Sequence, residues 1–150
     1  MIFLDTNILS ETLRKSPNPT VIAWLVRYDA ELALPTVTIA EIAFGIQKLV
    51  PDQRATRLEQ GLADWRHRFA DRIFGLTEEA ALAYGDIMGA ASRQGLGMSA
   101  PDGMIAAIAR VNGGDHAVGR RHPESLPRSC AHDVAVGQRQ IGRASCRERV

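Results

Sequence analysis

Met1-Ile2-Phe3-Leu4-Asp5-Thr6-Asn7 is the stretch on which the fold turns. Its apolar residues run unbroken into an acid, a hydroxyl and an amide. So short an apolar run, closed by polar residues, predicts a strand buried on both faces, as in parallel sheets. Ile8, Leu9, Thr12 and Leu13 follow at helical spacing, so the strand leads directly into a helix. Outward from there the alternation repeats. Asn18 is a candidate cap for a helix beginning at Val21-Ile22-Ala23-Trp24-Leu25, and Leu32-Ala33-Leu34-Pro35 predicts a second strand. Ile39, Ile42, Ala43, Ile46 and Leu49 recur at three- and four-residue steps and predict a helix over 37–49. Pro51 is expected to open the next helix, carried by Leu58, Leu62, Trp65 and Phe69. Arg72 to Leu76 is a third strand candidate. Thr77, with Glu78 and Glu79, caps a helix through Leu82, Ile87 and Ala91 that Gly95 and Gly97 end. Ser99-Ala100-Pro101-Asp102 opens the last apolar helix with proline in its first turn. Strands alternating with helices predict an α/β fold with a short parallel sheet.

With 150 residues and 16.4 kDa, the chain is the size of one domain. Hydrophobic residues make up 45% and charged residues 23%, which excludes a disordered or collagen-like chain. No uncharged apolar stretch approaches the roughly 18 residues of a membrane span, and no signal peptide opens the chain. Two cysteines are too few for a disulfide scaffold. A soluble cytoplasmic protein with no membrane partner is the expectation. The net charge of +1 hides an asymmetry: residues 1–114 are net −2, and the remainder is net +3. All eight aromatics fall at or before Tyr84, so the composition changes character near Asp115.

Three acids stand at the leading ends of helices. Asp5 ends the first strand, where the crevice beyond a parallel sheet's carboxyl edge receives ligands, or it merely caps the next helix. Glu41 borders an apolar helix face among Ile39, Ile42 and Ala43, as a dipole partner or as a ligand. Asp102 lies in the first turn of the last helix and could be explained by the helix dipole alone. Taken together they change the argument. Three carboxylates converging on one sheet edge would repel one another unless a hard cation neutralised them, and Mg²⁺ or Mn²⁺ takes such oxygen ligands. The chemistry that follows is metal-assisted hydrolysis of a phosphodiester.

The opening Met1–Glu11 string resembles the start of PIN-domain ribonucleases, in particular VapC-type toxins of toxin–antitoxin pairs and their FitB-like branch. Val37-Thr38-Ile39-Ala40-Glu41-Ile42-Ala43-Phe44-Gly45-Ile46 and Met98-Ser99-Ala100-Pro101-Asp102-Gly103-Met104-Ile105 agree in order and spacing. The resemblance covers residues 1 to about 114. It implies a three-layer α/β/α fold and a Mg²⁺-dependent endoribonuclease (Mn²⁺ as an alternative) that cleaves RNA. It also implies neutralisation by a cognate antitoxin and a homodimeric state. Asp5, Glu41 and Asp102 match the family's acidic catalytic and metal-binding residues, and Thr6, Asn7 and Ser99 its supporting polar positions.

Downstream the chain departs from the pattern. Members continue into a short strand, a polar turn and a fourth acid; here Asn112-Gly113-Gly114 begins the turn, but the pattern does not assign the fourth-acid role to either Asp115 or Glu124. Ile141-Gly142-Arg143-Ala144-Ser145-Cys146-Arg147-Glu148-Arg149-Val150 reads as a sequencing adaptor translated in one frame. The expectation is therefore a truncated PIN domain over 1–114, its last strand missing or corrupted, and a frameshifted, disordered tail over 115–150. A basic RNA-binding arm is the rival reading of that tail, and its histidines and cysteines fit no standard zinc spacing.

A haloacid-dehalogenase-type phosphatase also opens with an apolar strand and an Asp. It needs a second Asp where this chain has Asn7, and a downstream lysine, whereas the only lysines are Lys15 and Lys48. The other alternative is a catalytically impaired PIN domain that only binds an antitoxin. Ile8, Leu9, Leu13, Trp24, Leu25 and Phe44 are more apolar side chains than two short helices need for one core, so a partner surface is expected near residues 8–50.

Overall fold

The computed structural model describes residues 1–117. In order they form β1 (Ile2–Leu4), α1 (Thr6–Thr12), α2 (Pro19–Arg27), a 3₁₀ turn (Asp29–Glu31), β2 (Leu32–Pro35) and α3 (Thr36–Gln47). Then follow α4 (Gln53–Arg68), β3 (Ile73–Phe74), α5 (Glu78–Arg93), α6 (Ala100–Val111) and β4 (Asp115–Ala117). The sheet order is β3-β2-β1-β4 and every pairing is parallel, with Ile2 opposite Leu32 on one side and Asp115 on the other.

Strand alternation divides the core. Leu4, Leu32 and Leu34 face one way and pack with Ile8, Leu9, Val21, Leu25, Ile42, Ile46, Leu62 and Phe69, so α1 to α4 cover that face. Phe3 and Ala33 face the other way and meet Ala80, Ile105, Ile108 and Ala109 of α5 and α6. The result is the α/β/α sandwich expected from the sequence. Helix starts follow their caps. Asn18 accepts from Thr20 N–H at 2.8 Å, Thr77 from Ala80 N–H at 3.2 Å and Ser99 from Asp102 N–H at 3.2 Å. Contrary to expectation, Pro51 does not open α4; Asp52 caps it, accepting from Arg54 N–H at 2.8 Å.

The strand expected to be missing is present over three residues. α6 ends at Val111, and Gly113 just beyond it has a φ of +64° that suits glycine. Gly114 N–H reaches back to the Ala109 carbonyl at 2.9 Å, and Gly113 N–H to that of Arg110 at 3.5 Å. This reversal turns the chain back along β1. Gly114 has no alternative there: a Cβ would stand 2.5 Å from the Phe3 ring and 2.7 Å from the Met1 carbonyl oxygen. Asp115–Ala117 then pairs with Ile2–Leu4. The expectations for the rest of the tail, including Glu124 and the adaptor-like terminus, fall outside the described residues.

Candidate active site

The site is positioned by topology. From β1 the chain steps to β2 and β3, then returns through α6 to β4 on β1's other side. The reversal of direction falls between β1 and β4, where open parallel sheets leave a crevice at their carboxyl edge. Asp5 follows β1 there, α3 starts directly after β2, and α6 begins at the same edge because it must run back to the start of β4. α3 packs on both α1 and α6.

Asp5 is 2% exposed, one of two buried polar side chains among the described residues. Among the described residues its carboxylate accepts from Asn7 alone, from the backbone N–H at 3.4 Å and the side-chain amide at 3.2 Å. Both bonds are long, and no cation pairs with it among the described residues. A buried carboxylate so thinly satisfied is costly without a positive partner. Asp5 does cap α1, but that role does not need its charge, since asparagine caps as well.

Glu41 lies half-buried in the second turn of α3, and the Thr6 hydroxyl donates to its Oε2 at 2.5 Å. One residue after Asp5, α1 is thus tied to the second acid. Asp102 is half-buried in α6; Ser99 Oγ donates to its Oδ2 at 2.7 Å while accepting from its N–H. Each acid therefore has its own neutral donor: Asn7 for Asp5, Thr6 for Glu41, Ser99 for Asp102. All six site residues read from the sequence lie around one sheet edge. They do not form a ready metal cage: among the described residues no three His, Cys, Asp or Glu side chains stand close enough to hold an ion.

Sequence reading missed two features. Thr38, fully buried, donates to the Leu4 carbonyl at 2.9 Å and ties α3 to the strand end that carries Asp5. Its signal was faint: one hydroxyl on the apolar face of an otherwise apolar helix. The second is an open groove of about 620 Å³ that runs from Thr6 and Glu41 between α1, α3 and α4. Its basic rim comes from residues 14–15 and 54–57, which spacing alone does not connect.

Fold and site define a small doubly wound α/β protein with acids along the carboxyl edge of its sheet. Residues 2–117 match the PIN domain, and the chain belongs to that family. It is 38% identical to toxin FitB of Neisseria gonorrhoeae over 115 residues, 73% of this chain and 81% of that one. It is 33% identical to VapC ribonuclease Y4jK of Sinorhizobium fredii over 115 residues, 75% of this chain and 82% of that one. Among solved structures, FitAcB from Neisseria gonorrhoeae superposes with a TM-score of 0.73 at 34% identity, covering 82% of this chain and 90% of that one. No helix among the described residues is long and apolar enough to cross a membrane.

Of the apolar residues expected at a partner surface, Ile8, Leu9 and Leu25 belong to the core and Leu13 and Trp24 pack half-buried against it. Phe44, on α3, is 67% exposed.

Proposed function

We propose that the chain is a metal-dependent endoribonuclease, the toxin of a toxin–antitoxin pair, acting in the cytoplasm. The observation that carries this reading is the buried Asp5 carboxylate at the sheet's switch point, without a cation among the described residues. Relatives named a toxin and a VapC ribonuclease support it. The donor set suits a hard cation, since carboxylate and hydroxyl oxygens match Mg²⁺ or Mn²⁺ and no thiol or imidazole joins them.

Asp5, Glu41 and Asp102 would hold the ion, with coordinated waters bridging to carboxylates that do not stand as one close cluster. When bound, it would polarise a phosphoryl oxygen of RNA and lower the pKa of a coordinated water. The chain's own contribution is positioning. Asn7 fixes the Asp5 carboxylate, Thr6 turns Glu41 toward the strand end, and Ser99 orients Asp102. Asp5 lies beneath the surface, while the half-buried Glu41 and Asp102 remain within reach of a substrate phosphate. A cognate antitoxin and a second copy of the chain are the proposed protein partners, and the exposed Phe44 is a candidate contact.

Asp5→Asn tests the reading, because it keeps shape and the cap while removing the charge. The expected outcome is loss of Mg²⁺-dependent RNA cleavage with the folded state intact or more stable. Undiminished cleavage by Asp5→Asn would show that the acids are not the catalytic centre. A wild-type chain that binds antitoxin but cleaves no RNA with Mg²⁺ or Mn²⁺ would favour the impaired, antitoxin-binding alternative.

A further inference from the structure

We infer that the groove leading away from Glu41 is the track on which a single strand of RNA lies, its phosphates held by Lys15, Arg54 and Arg57. The inference rests on the ribonuclease reading and specifies how that site receives its substrate.

The groove starts at Glu41, which lines one end together with Thr6. Its rim carries Arg14 and Lys15, just past the end of α1, and Arg54 and Arg57 in the first turns of α4. Residues three apart on a helix share a face, so Arg54 and Arg57 act from one side of the groove and Arg14 and Lys15 from the other. Arg14 is paired with Glu11 at 2.8 Å. Lys15, Arg54 and Arg57 have no acidic partner among the described residues. A domain that is net −2 over residues 1–114 thus concentrates cations without acidic partners along a groove that reaches Glu41. Fields of like sign in a cleft attract and align a polyanion.

The floor is aliphatic: Leu13, Ile42, Ile46 and Leu58. A basic rim over an apolar floor suits a strand whose phosphates lie on the rim and whose base faces rest below. Gly45 keeps that floor low, with nothing within 4 Å of where its Cβ would be. An acidic peptide would satisfy the rim equally well, but its carboxylates would run into Glu41 at the end of the groove. RNA would have a reason to approach that end, because a cation bound by the acids there would attract its phosphate.

The test is binding, measured in EDTA so that no cleavage occurs. A fluorescein-labelled single-stranded RNA of mixed sequence is titrated into the full chain by anisotropy at several salt concentrations. The comparison is with Arg54→Gln/Arg57→Gln, Lys15→Gln and Gly45→Glu. Each cation removed is expected to weaken binding several-fold and flatten the plot of log K against log salt by about 0.7. Gly45→Glu places an acid in the floor with a better helix former than glycine, so it is expected to weaken RNA binding while the melting temperature holds or rises. Wild-type affinity and salt slope in all these variants would overturn the inference. So would binding of a poly-glutamate peptide, dependent on Arg54 and Arg57, by a chain that binds no RNA. The two readings fail separately. RNA held through these residues but never cut with Mg²⁺ supports the groove and removes the ribonuclease; Mg²⁺-dependent cutting with unchanged affinity in the variants removes the groove alone.

Discussion

Asp5 and Thr38 are the two buried polar side chains among the described residues, and they mark opposite uses of polarity. Thr38 is satisfied: its hydroxyl has a good bond to the Leu4 carbonyl at 2.9 Å, so its role is to fasten α3 to β1. Asp5 is poorly satisfied, and burial of its charge opposes folding unless a cation joins it. Stability and function are therefore expected to separate at these positions. Thr38→Val should cost about 1 kcal/mol, the net worth of a buried hydrogen bond, as read by urea denaturation. It should also lower cleavage, since the strand end that carries Asp5 loses its tie to the helix that carries Glu41. Asp5→Asn should do the reverse, ending cleavage without lowering the urea midpoint.

At the level of elements, ends matter more than middles. α5 starts at Thr77, which caps it, and Glu79 in its first turn has its carboxyl held below the usual range by its own backbone N–H and by the Thr77 hydroxyl. A carboxyl lowered in the folded state stabilises above its unfolded pKa, and that contribution fades as pH falls through its folded value. Thr77→Ala should cost about 1 kcal/mol at neutral pH. Denaturation measured across the acid range should show the gap to wild type narrowing as Glu79 takes up its proton. Helix ends are as telling. α5 and α6 are each followed, two residues past their last, by a glycine at positive φ, Gly95 at +68° and Gly113 at +64°, and the second reversal leads into β4. Gly114→Ala should destabilise by about 1–3 kcal/mol, because the added methyl meets a backbone carbonyl and an edge-packed ring that are both fixed by the sheet. Lower thermal stability with weakened β1–β4 amide protection is the expected readout.

Across the whole molecule, the short parallel sheet gathers residues from distant parts of the chain. Residues 5, 41 and 102 reach one edge because the strands share a direction and the path reverses beside β1. On the proposed function, metal linkage is expected from that arrangement. An ion that binds only the folded chain adds stability of about 2.7 kcal/mol at a hundred times its dissociation constant. Titrating Mg²⁺ or Mn²⁺ during thermal unfolding should raise the melting temperature of the wild type. Asp5→Asn should lose most of that rise; an equal rise in both would place the ion elsewhere.

Local pattern alone accounted for β1, β2, the helices and most caps, because an apolar run, a 3.6-residue beat and a capping hydroxyl are decided within a few residues of themselves. The places of the candidate acids at 5, 41 and 102 in the fold were legible for the same reason: each stands at, or within two turns of, a helix start that pattern can locate. The three-residue β4 was misjudged because a strand so short has no pattern of its own. It exists because Gly113 and Gly114 aim it along β1, a decision made by pairing over more than a hundred residues of chain. The Thr6–Glu41 bond, the Thr38–Leu4 tie and the basic rim of the groove likewise appear only once α1, α3 and α4 meet. The surroundings of Asp5 were also decided there. Capping is a local property, but the burial that leaves its charge in want of a cation comes from the packing of the sandwich around it.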